Sequence, residues 1–556
     1  MSGKNLSEQF LSAARWNVLL FPLRLLVGLG ASVIYYRNLS MDQVGVLFLL
    51  QSLAATVGLY ADLGIERTLP RFLPEVEREA GRAGVHKLLT RVIRLKLLVL
   101  LVLIAGLAAF SGPIGGALAA HQRRELVELE GRHSRPGLEL AAARGLEREI
   151  AAKRAVIGEL DSKGGLFLGA IGVLLVLGAL FDVYMQVLTA YLKQRSWNLI
   201  TTASTLVQPV LVTAFITAGW GITGVLVGMV VAPLVSVLLA AWQASRASRE
   251  LVPAVGAGGQ ETSLDRRFAR FAGTNYLMQV ATWMYDLQFV VFLSAATLSL
   301  TDVARLGFSY KFAKDLLGYV WTPLKGVMVP VLSRVHARRE PGALLEAHAT
   351  LTRIIWLLEL PAAVGLLVLV PATVTVFYPK YADTSGLIAV FVVFVFAESL
   401  IFVPENVLMV TEQYRPVILS QLLAFLVVPL AWVLLPRYGI LGVALAVGTA
   451  RILSRAVTLV AGRLRLGLTF PLAFGARVGA ASLVMGGALA LALRLAGGAL
   501  SAGEKPRGVL VLASLVFLGV AVFVGALRLF GGLHEEERRR LLSLPVPFKG
   551  LLERVL

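Results

Sequence analysis

The segment Tyr35–Arg71 reads YYRNLSMDQVGVLFLLQSLAATVGLYADLGIERTLPR and decides the fold, because a related pattern returns at Leu298–Val320 as LSLTDVARLGFSYKFAKDLLGYV. In both segments a polar turn with Leu-Ser and an aspartate precedes a glycine, Gly45 or Gly307, and an apolar stretch follows. An apolar stretch of about 20 residues can cross a bilayer as a helix. The two segments therefore predict a membrane hairpin that the chain uses twice.

Composition places the rest of the chain in the membrane as well. Of its 556 residues, 57% are hydrophobic and only 16% are charged, and the mean hydropathy is +0.77. One soluble core does not hide that much apolar surface, so we predict an all-α polytopic membrane protein with about 14 transmembrane helices. The approximate limits of these helices are 16–36, 43–64, 88–111, 165–190, 197–217, 222–243, 268–293, 303–330, 352–376, 384–409, 416–435, 439–460, 471–493 and 508–530.

The net charge of +19 comes from basic residues that are distributed unequally across the predicted membrane. The side that carries both termini holds 27 Lys and Arg residues, and the short loops of the other side hold 6. This asymmetry predicts that both termini are cytoplasmic and that the protein lies in the cell inner membrane. The charge therefore indicates topology rather than nucleic-acid binding. The amino terminus does not read as a removable signal peptide, so the first helix is the expected targeting signal.

A second pair of glycines locates an insertion. Gly221 in GWGITGVLVG and Gly439 in YGILGVALAVG are 218 residues apart, whereas Gly45 and Gly307 are 262 apart. The first copy of the repeat must therefore hold 44 more residues, and the charged segment 121–163 contains 43. Its helical periodicity predicts two polar helices outside the membrane on the non-cytoplasmic face. They are either a solvated surface element or a docking site for a partner enzyme.

The repeat predicts two parallel six-helix lobes that enclose a cleft. Two further helices and an amphipathic tail follow the repeat. The predicted domains are an N-lobe at 1–250 with the hairpin inserted at about 121–163, a C-lobe at 251–465, helices 13 and 14 at 466–530, and a cytoplasmic tail at 531–556.

Charged residues deep in predicted helices mark the candidate site. Arg24, Lys311 and Lys314 are costly at membrane depth unless they face a wet or paired interior. Lys311 and Asp315 have the i, i+4 spacing of a helical ion pair, and Asp286 is an acidic candidate in the seventh helix. A cleft with more cations than anions suits a phosphate-bearing substrate.

Other intramembrane cations are expected near the headgroups. Arg91, Arg94 and Lys96 begin the third helix and are expected to reach the headgroups by snorkelling, and Arg451 and Arg455 are expected at the headgroups near the cytoplasmic end of helix twelve. The chain has no cysteine, its histidines lack ligand spacing, and it has no phosphate-binding GxxxxGK[ST] loop. We therefore predict no enzyme activity, no metal and no cofactor.

The chain resembles the polysaccharide and oligosaccharide flippases of the multidrug/oligosaccharidyl-lipid/polysaccharide exporter superfamily. The resemblance rests on RNLSMDQVGVLFLLQSLAATVGLYADLGIERTL, AYLKQRSWNLI, GWGITGVLVG, FYPKYADTSG and YGILGVALAVG. It implies a V-shaped pair of lobes that works by alternating access and carries an undecaprenyl-diphosphate-linked oligosaccharide to the outer leaflet for O-antigen, exopolysaccharide or capsule synthesis. Membrane lipids and assembly proteins such as a polysaccharide polymerase are the implied partners.

The resemblance also implies roles for the deep charged residues. Arg24, Lys311 and Lys314 would line the substrate cavity, and Asp286 and Asp315 would balance charge or couple to an ion.

Three alternatives stay open at this point. A cation or drug antiporter of the same superfamily would favour acids over bases in its cavity, and the two extra carboxyl-terminal helices argue mildly against it. A lipid II flippase would also have fourteen helices, but the first-helix and second-helix motifs of that group are not found here. A membrane polysaccharide polymerase or ligase would need a large external loop with acid/base residues, and only 121–163 qualifies by size.

Overall fold

The structure is a computed structural model, and every regular element in its described part is a helix. Within that part, eleven helices are long and apolar enough to cross a membrane. The predicted class, an all-α polytopic membrane protein, is therefore confirmed. The described residues are 26–109, 123–134, 140–191, 193–249, 261–284, 286–294, 297–337, 342–496 and 505–531.

The chain divides into two compact units, which we call the N-terminal unit (Met1–Ala304) and the C-terminal unit (Arg305–Leu556). The boundary predicted between residues 250 and 251 separates the two copies of the sequence repeat. A division into compact units does not test where the repeat begins, so this boundary stays a prediction. The helices of the N-terminal unit are α1 (26–38), α2 (Met41–Asp62), α3 (Ile65–Ala109), α4 (123–133), α5 (Leu140–Ala190), α6 (Gln194–Thr217), α7 (Gly221–Arg249), α8 (Glu261–Trp283), α9 (Leu287–Ser294) and the first turn of α10 (Leu300–Ala337).

The C-terminal unit contains the rest of α10 and eight further α-helices. One core of this unit includes Trp356 of α11, and the predicted appended pair, α17 and α18, packs on α11. The elements are α11 (Ala343–Phe377), a 3₁₀ helix (Pro379–Thr384), α12 (Ser385–Leu400), α13 (Val403–Val410), α14 (Tyr414–Leu422), a 3₁₀ helix (Leu423–Leu426), α15 (Val427–Tyr438), α16 (Ile440–Leu466), α17 (Leu472–Leu495) and α18 (Lys505–Leu529).

Two predicted spans are broken rather than continuous. The predicted seventh span, 268–293, is interrupted after α8, and Asp286 lies in the interruption just before α9. The predicted tenth span, 384–409, ends as α12 and restarts as α13, which has Pro404 in its first turn. Proline suits a helix start because its missing N–H has no intrahelical acceptor there.

The repeated segments begin their helices with the same cap. The Ser40 hydroxyl accepts the backbone N–H of Gln43 at 3.1 Å, and the Ser40 N–H donates to the Gln43 side chain at 3.1 Å, which completes a capping box. Before α10, the Ser299 hydroxyl likewise accepts the N–H of Asp302 at 3.0 Å. The two caps are 259 residues apart. The offset between the two copies is therefore 259 residues when the caps are aligned and 262 when the glycines are aligned, a difference of three residues. We call the first of these the register of the caps.

The first turns of α2 and α10 touch each other inside the N-terminal unit. The Thr301 hydroxyl donates to Asp42 Oδ1 at 2.7 Å, and these residues occupy equivalent positions in the register of the caps. A Cβ atom added to Gly45 would lie 2.1 Å from the Leu300 carbonyl oxygen. Such a contact is possible only for glycine. The stretch that repeats in the sequence is thus also a close helix crossing.

The α3 element is folded back on itself. Gly81 has φ 60° and ψ −158° within it, which is not a helical conformation. Residues on both sides of Gly81, including Leu69 and Val92, share one buried core. The reversal therefore packs the start of α3 against the part of its second arm around Val92, where the sequence predicts a basic loop followed by the third span.

The charged hairpin contains two helices, but the second is longer than expected. Glu125 of α4 contacts Lys153 of α5, and Arg154 Nη2 lies 2.6 Å from Glu130 Oε1. Ile157 is buried at the predicted helical spacing. The second polar helix and the fourth predicted span form one continuous helix, α5, with no interruption between them.

Candidate functional site

The N-terminal unit contains a cavity of about 410 Å³ between α2, α3, α5 and the α8–α9 segment. We call it the N-terminal cavity. Its volume lies in the range of small-ligand sites, about 300–1,000 Å³. Leucine, alanine and glycine side chains of α2 and α5 form much of the wall. The polar lining consists of Asp62, Glu66, Lys96, Asp182, Gln279, Thr282, Trp283 and Asp286.

A buried lysine organises the polar wall. Lys96 is 2% exposed, and its Nζ lies 2.6 Å from Glu66 Oε1 and 3.3 Å from Asp62 Oδ1. The same Asp62 oxygen accepts the backbone N–H of Glu66 at 3.3 Å. Charges as deeply buried as these are tolerated when they are paired and hydrogen-bonded. We call Lys96, Asp62 and Glu66, together with Asp182 of α5, the Lys96 cluster.

The fold of α3 explains the position of Lys96. Glu66 and Lys96 are 30 residues apart, which would place them about 45 Å apart on a straight helix. They are hydrogen-bonded because α3 folds back at Gly81. The expectation that Lys96 reaches the headgroups is therefore wrong. The polar pair Asp62 and Glu66 is visible in the sequence, but its distant partner is not.

The fourth member of the Lys96 cluster makes the cavity acidic. The Asp182 carboxyl group lies within hydrogen-bonding reach of Glu66. With Asp286 included, the described lining holds four carboxyl groups and one ammonium group. The N-terminal cavity is therefore rich in carboxyl groups, and the cation-rich cleft expected between the lobes stays a prediction. Within the described ranges no group of three or more His, Asp or Glu side chains is arranged to hold a metal.

Asp286, an acidic residue singled out in the sequence, lies in the same cavity. It occupies the break between α8 and α9, where its Oδ1 accepts the backbone N–H of Gln288 at 3.3 Å. The Asp286 carboxyl group therefore lines the cavity from a break between two helices and not from the side of a continuous helix. Its charge-balancing or ion-coupling role stays a prediction. Arg24, the predicted cation of the first helix, lies outside the described residues.

The other predicted site residues lie on α10 in the C-terminal unit. Lys311 Nζ lies 2.7 Å from Asp315 Oδ2, so the i, i+4 pair expected from the spacing is present. Both side chains are 40–50% exposed, and such a pair contributes at most about 1 kcal/mol. Lys314 is exposed, and its Nζ lies 5.4 Å from the centre of the Tyr310 ring. Substrate binding by these lysines stays a prediction.

A second ionic network, whose side chains are 12–15% exposed, joins α12, α13 and α16 in the C-terminal unit. Arg451 Nη1 lies 2.6 Å from Glu398 Oε2, and Arg455 Nη2 lies 3.1 Å from Glu398 Oε1. Arg455 also contacts Glu405, which accepts a hydrogen bond from Gln421 at 3.1 Å. The expectation that both arginines meet the headgroups is wrong, because two glutamates from neighbouring helices neutralise them.

The C-terminal unit also has a large apolar cavity of about 560 Å³ between α10, α11, α17 and α18. We call it the apolar cavity. Its polar lining residues, within the described part of the unit, are Thr373 and Arg528. Its other side chains come mainly from leucine, valine and phenylalanine, together with Met485, Pro361 and two glycines. This environment suits a hydrocarbon chain and does not suit a sugar or a phosphate.

Residues 165–385 match a family model described as polysaccharide biosynthesis protein. Among curated proteins, none matches the chain at a significant level.

Solved structures with a similar fold are membrane transporters and flippases. The lipid II flippase MurJ, in an inward closed conformation, matches with a TM-score of 0.63 and 14% identity, over 92% of this chain and 98% of that one. An inward-facing multidrug resistance MATE family transporter of the MOP superfamily matches with a TM-score of 0.57 and 13% identity, over 80% of this chain and 94% of that one. The fold expected from the resemblance is therefore confirmed by both structures. The identities are too low to transfer a substrate.

Proposed function

We propose that the protein is a flippase that carries a lipid-diphosphate-linked oligosaccharide from the cytoplasmic to the outer leaflet by alternating access, for surface polysaccharide biosynthesis. The observation that carries the proposal is the N-terminal cavity. Charged and hydrogen-bonding side chains are costly among membrane spans, and in membrane proteins they mark pathways for polar cargo. The polysaccharide biosynthesis match and the fold shared with a lipid II flippase support a lipid-linked sugar as that cargo.

The apolar cavity supports the lipid part of the cargo. A polyprenyl chain attached to a sugar head needs an apolar environment and a polar one at the same time. The protein has an apolar cavity of about 560 Å³ in its C-terminal unit. It has an ion-lined cavity of about 410 Å³ in its N-terminal unit. A soluble sugar has no need for the first of these.

We assign the diphosphate to the predicted cations Arg24, Lys311 and Lys314. Arginine and lysine form charge-assisted hydrogen bonds with phosphate oxygens. The exposed side chains of Lys311 and Lys314 are accessible for such a contact. Asp286 and Asp315 would balance these charges or couple transport to an ion. In the same proposal the protein is not an enzyme and needs no cofactor.

The proposed setting follows from the distribution of charge. The ratio of 27 to 6 basic residues supports a multi-pass protein of the inner membrane with both termini in the cytoplasm. Its cargo would be carried on undecaprenyl diphosphate, and membrane lipids would surround it. A polysaccharide polymerase or another assembly protein would receive the cargo on the outer side.

A cation or drug antiporter is the second candidate, and the acidic balance of the N-terminal cavity favours it. Carboxylates attract organic cations, whereas they repel a diphosphate. A polymerase or ligase is less well supported. The carboxylates of its only candidate loop include Glu125 and Glu130, which are paired with Lys153 and Arg154.

Depletion of the protein in its native cells tests the proposal against the antiporter. We expect the lipid-linked oligosaccharide to accumulate where an impermeant lectin added outside does not reach it, with unchanged susceptibility to cationic drugs. Lys314→Ala should reproduce part of the defect at a normal membrane level. Arg437→Ala, which removes an exposed cation at the end of α15, is the matched control. Increased drug susceptibility with an accessible oligosaccharide pool would support the antiporter instead.

A further inference from the structure

Three buried polar atoms in the wall of the N-terminal cavity have no hydrogen-bond partner in the described part of the chain. They are Asp62 Oδ2, Gln279 Oε1 and Trp283 Nε1. Buried polar groups are almost always paired, and an unpaired one is costly. The Asp62 side chain is only 4% exposed. The wall of the cavity therefore offers two acceptors and one donor to a molecule that fills it.

The Lys96 cluster sets the direction of the Asp62 carboxylate. Its Oδ1 is occupied by the Lys96 ammonium and by the Glu66 N–H, at 3.3 Å each. The second oxygen, Oδ2, is thereby held in a fixed place without a partner. Ligand groups bind better to atoms that are already positioned, because less conformational freedom is lost. The ion pair between Lys96 and Asp62 therefore also positions Asp62 Oδ2 as a hydrogen-bond acceptor.

The chemistry of the three atoms selects a sugar over the other parts of the cargo. A sugar hydroxyl both donates and accepts, so neighbouring hydroxyls can satisfy Asp62 and Gln279 and also accept from Trp283. Unprotonated phosphate oxygens only accept, so they leave both acceptors unsatisfied. An organic ammonium ion only donates, so it leaves the Trp283 N–H unsatisfied.

The Trp283 ring and the negative charge of the cavity restrict the kind of sugar that can bind. Trp283 is held edge-on against Phe289, with ring centres 4.8 Å apart, and it combines an apolar ring with one N–H donor. Such a side chain fits the C–H face of a sugar ring and an adjacent hydroxyl. Four carboxyl groups against one ammonium group repel a uronic acid and the diphosphate.

We propose that the N-terminal cavity binds an uncharged sugar unit of the carried oligosaccharide, with Asp62 and Gln279 accepting from its hydroxyls and Trp283 donating to it. This inference rests on the proposed function and names the part of the cargo that this cavity selects. It separates the cargo into a sugar held by an acidic cavity and a diphosphate held elsewhere. The cavity accordingly acts as a filter for sugar charge.

Binding to the purified full-length protein in detergent tests the inference with three synthetic lipids. They are polyprenyl diphosphate with a neutral disaccharide, the same lipid with a uronic acid in place of one sugar, and polyprenyl diphosphate without sugar. We expect the neutral disaccharide lipid to bind more tightly than the other two. Gln279→Leu should weaken its binding about five- to tenfold, as expected for one lost hydrogen bond. The sugar-free lipid should bind this variant and the wild type equally.

Gln51→Leu is the matched control, because Gln51 lies on α2 away from the cavity lining and contacts Met229. A fluorescence change on adding the disaccharide lipid should disappear in Trp283→Phe, which gives a readout independent of Gln279. Equal affinities of Gln279→Leu and Gln51→Leu would overturn the inference, as would equal binding of the uronic acid lipid. Competition by tetraphenylphosphonium at this cavity would overturn it in favour of a cation site. If none of the three lipids binds, the proposed function itself fails.

Discussion

Replacing Lys96 with alanine is expected to destabilise the protein far more than removing a surface charge. The substitution removes the ammonium group that lies 2.6 Å from Glu66 and 3.3 Å from Asp62, and it leaves their carboxylates buried and close together. Breaking a buried ion pair by removing one partner costs about 3–5 kcal/mol. We expect a loss of that size in the free energy of unfolding.

The assay is a denaturant titration of the purified protein in detergent micelles. Arg132→Ala is the control, because Arg132 and Glu128 form an exposed i, i+4 pair at 2.6 Å, and such a pair is worth about 0–1 kcal/mol. A double-mutant cycle with Lys96→Ala and Glu66→Gln should give a clear coupling energy. If Lys96→Ala costs no more than Arg132→Ala, the reasoning about the buried cluster is refuted.

Two further substitutions test the fold in each unit. Gly45→Ala should cost about 1–3 kcal/mol in the free energy of unfolding, because the new Cβ would lie 2.1 Å from the Leu300 carbonyl oxygen. Gly30→Ala is the control and should be tolerated, because no atom lies within 4 Å of its new Cβ. Equal effects of the two substitutions would contradict the helix crossing. Arg455→Ala should cost about 3–5 kcal/mol by the same titration, because it leaves the largely buried Glu405 without its arginine partner. An unchanged unfolding curve would contradict the ionic network.

The class of the protein and many of its helices follow from composition and hydropathy, because lipid requires long apolar helices whatever their tertiary contacts. The cap at Ser40 also follows locally, since a serine with glutamine three residues later is a capping box. Such features depend on neighbours in the sequence. They are therefore visible without the structure.

The partners of buried charges depend on the path of the chain. Lys96 reads as a lysine near a helix end, and only the reversal at Gly81 brings it to Glu66. The sequence predicts that Arg451 contacts the headgroups, whereas the packing of α12 on α16 places Glu398 beside it. Long-range pairs of this kind leave no periodic signal in one sequence.

The cavity residues were missed for a different reason. Gln279 and Trp283 lie in a predicted span that reads as one helix, and hydropathy does not show that it breaks before Asp286. The break turns the end of α8 into a cavity wall. The available signal is Asp286 inside the predicted span, and the sequence alone does not distinguish a charge-balancing or ion-coupling group from the site of a break.

The most direct measurement is lipid translocation by the purified protein in proteoliposomes. A fluorescent polyprenyl diphosphate-linked neutral disaccharide is placed in both leaflets, and an impermeant reductant is added outside. We expect the reductant to destroy only the label of the outer leaflet in protein-free vesicles and nearly the entire label when the protein is present. An identically labelled phospholipid should keep its inner-leaflet label in both cases. An unchanged protected fraction of the disaccharide lipid, or equal exposure of the phospholipid, would contradict the claim that the protein is a flippase for lipid-linked sugars.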